Sequence, residues 1–171
     1  MKLALSFACR AILVCALSAP VSAMAAPVSA ATGAKLGVLH PLTLVSKSDL
    51  DFGTIARTAA GTAVIEPDAN VMTTTGGVIA LSGLPTAATF IGAAGSASVV
   101  IIRLPNAPIL ITRVGGTETM SVGNWTLQGQ NKRNLARQES FEFRVGATLT
   151  VPASQVDGTY VGTFDVTVQY P

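Results

Sequence analysis

The strongest constraint on the fold lies at the C-terminal end of the chain. Tyr160, Gly162, Phe164, Val166, Val168 and Tyr170 take alternate positions, with Val161, Thr163, Asp165, Thr167 and Gln169 between them. A period of two is that of a strand with one buried face. It recurs in Phe141, Phe143 and Val145, set against Ser140, Glu142 and Arg144, and runs on to Leu149 and Val151. Beyond residue 25 no stretch sustains the helical period.

Earlier segments are shorter. Leu36, Val38, Leu42 and Leu44 alternate, but Pro41 breaks the run into two pieces or marks an edge strand. Leu50 and Phe52 share one face, with Asp49 and Asp51 on the other; Ala63 and Ile65 oppose Val64. Short strands are expected at Val78–Leu81 and at Phe90–Ile91, each bounded by glycine. Val99 to Ile102 is apolar on both faces, which predicts a central strand. Ile109–Ile111 and Met120–Val122 flank Gly115-Gly116, a hairpin pattern, and Trp125 and Leu127 share a face. Residues 129–139 are the most polar and read as a long exposed loop. Many short strands punctuated by Gly and Pro predict an antiparallel β-sandwich in one domain over residues 36–171.

The N-terminus reads differently. Lys2 and Arg10 precede an apolar run from Ala11 to Leu17, followed by small residues at Val21-Ser22-Ala23 and Ala23-Met24-Ala25. That is the pattern of a cleaved signal peptide over residues 1–25, followed by a flexible leader over 26–35. Pro20 stops the run short of the roughly 20 residues a membrane span needs, so no transmembrane segment is expected after cleavage. Export to the periplasm, the cell surface or the medium follows. Cleavage removes Cys9 and Cys15, hence all thiol chemistry, and leaves nine basic residues against nine acidic ones. Such a balance gives no field for nucleic acid.

Catalytic chemistry is poorly supplied. His40 is the single histidine and reads as a surface or half-buried residue beside Pro41. One histidine without cysteine makes neither a nucleophile set nor a zinc site. The pairs Asp49/Asp51 and Glu66/Asp68 lack the dense Asp/Asn/Gly loop of calcium motifs and read as a solvated face and a turn. Asn124-Trp125-Thr126 matches the glycosylation sequon, but Trp125 reads as core. No cofactor and no enzyme activity are expected. Lys132, Arg133 and Arg137 cluster in the polar stretch and are the candidate loop contact for a polyanion or other partner.

Two segments carry a family resemblance. Pro41-Leu42-Thr43-Leu44 with Asp49-Leu50-Asp51-Phe52-Gly53-Thr54-Ile55 resembles the opening of a secreted bacterial family known as domain of unknown function 4402. The closing segments, 143–152 and 158–168, are similar to that family's C-terminal half. The ending, a Gly-x-Tyr turn into a last Thr/Val strand, also looks like spore coat protein U and pilin-like domains. That likeness implies an Ig-like, pilin-like sandwich, and a surface subunit often handled by a periplasmic chaperone and an outer-membrane usher. It implies no catalytic residues. The expected mature chain lacks the cysteine pair common in pilins.

Two functions are therefore expected. The first is a structural subunit of a pilus-like or other cell-surface assembly, joined to copies of itself or to other subunits by strand addition, with Leu36, Val38, Leu42 and Leu44 as candidate donor residues. The alternative is a free-standing secreted or envelope module that recognises a glycan or protein through its loops.

Overall fold

Eleven strands and no helix make up the described residues of the computed structural model, which are 36, 41–69, 71–95, 98–135 and 140–171. The signal, the leader, Val38, His40 and Arg137 lie outside them. The strands are β1 (Thr43–Ser48), β2 (Thr54–Glu66), β3 (Val71–Ser82), β4 (Ala88–Ala93), β5 (Val99–Arg103), β6 (Ile109–Arg113), β7 (Thr119–Leu127), β8 (Lys132–Asn134), β9 (Ser140–Val151), β10 (Tyr160–Val161) and β11 (Thr167–Gln169). All pairings are antiparallel. An eight-stranded sheet runs β1-β4-β9-β7-β6-β10, with the β2–β3 hairpin attached to β9; a three-stranded sheet runs β11-β5-β8.

β9 organises the larger sheet. Residues 140–145 pair with β4, 145–150 with β7 and 148–151 with β2. Because its side chains alternate, its odd-numbered residues all enter the core. Phe141, Phe143 and Val145 join Val100, Ile102 and Leu135 in one cluster; Ala147, Leu149 and Val151 join Ala63, Val78, Met120 and Val122 in the next. Leu42, Leu44, Val166, Val168 and Tyr170 pack on the first cluster, so the three-stranded sheet covers the β1–β4–β9 half. This all-β arrangement of curled antiparallel sheets is what a β-sandwich requires. Phe143 is fully buried and stacks on Phe90 at 5.3 Å between ring centroids. Burying such a side chain stabilises by about 1.5–3 kcal/mol.

The first described strand begins at Thr43, after Pro41, and lies at the edge of its sheet, one of the two outcomes the proline allows, because proline offers no N–H to a ladder. Two sequence expectations are corrected. The long C-terminal alternation is not one strand. Tyr160–Val161 pairs with β6 in the larger sheet, residues 162–166 cross over, and Thr167–Gln169 pairs with β5 in the smaller sheet. Alternation persists through the crossing because Phe164 and Val166 still face the core. The polar stretch is also not a loop throughout. Lys132–Asn134 pairs with Val99–Ile101, and Leu135 is buried. A polar strand at a sheet edge keeps its backbone bonds while its side chains meet water, so composition concealed it. β5 is the central strand of its sheet, as its apolar run predicts.

At the β6–β7 turn Arg113 grips Glu118, Nε donating to Oε2 at 2.7 Å and an Nη donating to Oε1 at 3.2 Å. Val114 N–H donates to the Thr159 carbonyl, so this hairpin also holds the approach to β10. The hydrogen bond from Arg113 holds the Glu118 carboxyl down from 4.5 to about 2. A lowered folded-state value means stability that is present above the ordinary carboxylate range and lost as pH falls. Glu118→Gln is predicted to melt below the parent at neutral pH. The gap should narrow from about pH 4.5 downward and vanish near pH 2, as thermal melts across that range would show, and added salt should shrink it.

Gly146 occupies the middle of β9, where a Cβ would strike the Ile65 carbonyl oxygen, with Pro67 and Thr126 closing the remaining space. Gly146→Val is predicted to destabilise by about 1–3 kcal/mol, read from the denaturant midpoint.

Candidate functional site

Two features of the surface stand out. The first is a cleft of about 560 Å³ formed where the chain passes from β5 in the small sheet to β6 in the large one. Pro105 and Pro108 stiffen this crossing, and Asn106 lies between them on the cleft wall. The opposite wall comes from β7 through Asn124, Trp125 and Leu127, with Asn131 completing it.

A bulge aims these β7 residues. Gly123 pairs with Thr148 and Thr126 with Gly146, so Asn124 and Trp125 together oppose the single residue Ala147. The extra residue shifts the inward phase from Met120 and Val122 to Trp125 and Leu127. Asn124 absorbs the bulge at φ 48°, the one non-glycine residue with positive φ among those described. Asparagine tolerates this region better than most residues.

Trp125 joins two of the sheet crossings. Its Nε1–H donates to the Ala107 carbonyl at 3.1 Å, and its ring stacks on Phe164 at 4.6 Å, in the crossing from β10 to β11. The cleft is thus held in shape before any ligand arrives. Within the described residues the side chains of Asn106, Asn124 and Asn131 make no hydrogen bond, and none of the lining residues is acidic.

The second feature is the outer edge of β3. Among the described residues β3 pairs with β2 alone. Its twelve residues include no charge and no proline, and Val71, Ile79 and Leu81 are exposed. Other edges differ. β1 carries Lys47, which pairs with Glu142; β8 carries Lys132 and Arg133; β10 and β11 have two and three residues. Charged or short edges resist pairing with another chain, and β3 has neither defence.

Residues 42–170 match the family model described as Domain of unknown function (DUF4402). The chain belongs to the DUF4402 family. No curated protein and no solved structure matches it.

The residues singled out in the sequence of this DUF4402 domain are dispersed. Leu42 and Leu44 pack in the core of their own domain, and β1 pairs with β4; Leu36 is exposed. Lys132 is exposed on β8, whereas Arg133 donates from Nε to the Gln130 carbonyl at 2.8 Å and from an Nη to the Gln128 carbonyl, bracing its own turn. Asp51 likewise serves the fold, its Oδ1 accepting from Gly53 N–H at 2.8 Å. Glu66 and Asp68 are exposed on either side of buried Pro67. Among the described residues no three His, Cys, Asp or Glu side chains gather into a metal site. Sequence reading missed both surface features. The phase slip from Met120 and Val122 to Trp125 and Leu127 was the signal for the bulge, and the uncharged run of β3 was the signal for the edge.

Phe164→Ala is predicted to cost about 2–4 kcal/mol in a denaturant melt, since Phe164 contacts both Phe90 and Trp125. It should also shift the emission of Trp125, the single tryptophan.

Proposed function

We propose that this DUF4402 protein is a non-catalytic, exported surface protein that serves as a structural subunit, joining to copies of itself through the free edge of β3. The β3 edge carries the reading. A strand edge without charge, covered by no other strand among the described residues, presents backbone donors and acceptors to a second strand, and an identical edge brings no like-charge repulsion. Antiparallel pairing of β3 with a second β3 in a register centred on Gly76 places Val71 of each copy opposite Leu81 of the other, and Ile79 opposite Thr73. Assembly by this route leaves β1 in its own core rather than lending Leu42 and Leu44. A periplasmic chaperone that covers the edge before assembly, and an usher at the outer membrane, fit the same physics, because a bare edge invites premature pairing.

An Ig-like, pilin-like subunit is the finer form of the proposal. Its support is the corner before β10, where Tyr160 O–H donates to the Val156 carbonyl at 2.6 Å and accepts from Gln155 Nε2 at 2.6 Å. A tyrosine hydroxyl bonded to backbone a few residues upstream marks the corners of many Greek-key sandwiches.

The exported protein is expected to form dimers or larger species by light scattering. Thr73→Lys with Ile79→Lys should weaken self-association at least about tenfold while leaving the circular dichroism unchanged. A parent chain that stays monomeric at all concentrations overturns the proposal, as does a double variant that assembles like the parent.

A further inference from the structure

We propose that the cleft beside Trp125 is a binding site for a saccharide. The cleft and β3 share no residue, so this inference stands apart from the edge-pairing reading.

The wall chemistry selects the ligand. An indole supplies a broad apolar surface on which the C–H face of a pyranose packs. Phe164 backs the Trp125 ring and Ala107 fixes its Nε1, so the ring holds its place without a ligand. Around it stand Asn106, Asn124 and Asn131. Each amide offers both donors and an acceptor, which is the pairing that adjacent sugar hydroxyls need, since each hydroxyl also donates and accepts. All three amides are free of partners within the described residues, so binding would break no existing protein bond.

The same wall argues against other uses. With Arg103 as its one charged lining residue and no acidic side chain, it offers no pair for glycoside hydrolysis and no hard ligand set for a cation. The volume, about 560 Å³, lies within the range of small-molecule sites. Asn124 adds a separate argument. Its φ of 48° is a conformation that glycine adopts freely, so the backbone alone asks for no side chain there. The bulge instead spends that strained position on an amide at the cleft wall.

Trp125 is the only tryptophan, so its emission reports directly on the cleft. The full exported protein would be titrated with cellotriose, maltotriose and N-acetylchitotriose to about 10 mM each, the weak end of useful affinity. At least one should give a saturable shift in emission. Asn124→Gly keeps the left-handed backbone without strain and should melt like the parent, yet bind that trisaccharide about three- to tenfold more weakly. Asn131→Ala, at an exposed position, should do the same. The absence of a saturable shift with all three sugars overturns the site. So does a shift that both folded variants retain undiminished.

Discussion

One constraint governs this structure: β9 must satisfy its hydrogen bonds to β4, β7 and β2 while sending every second side chain into the core. A strand with partners on both edges has no freedom to slip. A shift by one residue would turn Phe141, Phe143, Val145, Ala147, Leu149 and Val151 out to solvent. The two core clusters therefore share one ruler. Gly146 makes this ruler possible, because the backbone of β2 approaches it too closely for any side chain.

The bulge in β7 follows from the same constraint. β7 lies along β9 and must serve both clusters, yet its apolar residues fall on even positions in one half and odd positions in the other. One extra residue reconciles the two phases. The local cost is a left-handed asparagine; the local result is a tryptophan placed where the β5–β6 and β10–β11 crossings meet. A solution to a packing problem has also built a concave wall. The cleft is in this sense a by-product of register, and its amides are the part that packing does not require.

Much of the fold was legible in the sequence because burial and alternation agree wherever a strand has one wet face. Phe141 to Val151, Ala63 to Ile65 and the central Val99–Ile102 read directly. The sheet assignment of the last strand did not, since Tyr160 to Tyr170 alternates without a break across a change of hydrogen-bonding partner. Lys132–Asn134 was hidden for the converse reason: its ladder bonds come from the backbone and its side chains face water. The binding features were hardest. Asn106, Asn124 and Asn131 belong to three separate segments, the β5–β6 crossing, the β7 bulge and the approach to β8, which only the fold brings to one cleft. The β3 edge is defined by which neighbour a strand lacks, and side-chain pattern carries no record of that. Of Lys132, Arg133 and Arg137, read together as a candidate loop contact, Arg137 lies outside the described residues, and the other two are divided by geometry, one exposed and one bracing its own turn.

The path of the C-terminal segment also has a mechanical meaning. β11 holds the small sheet, β10 holds the large one, and Phe164 lies wedged between them against Trp125 and Phe90. A pull on the chain end would load the β11–β5 ladder first and then the aromatic wedge, before any force reached β10. This last crossing thereby joins the two sheets in series along the C-terminal segment, so tension on it would be borne stepwise, with the aromatic contact acting as a catch between two ladders.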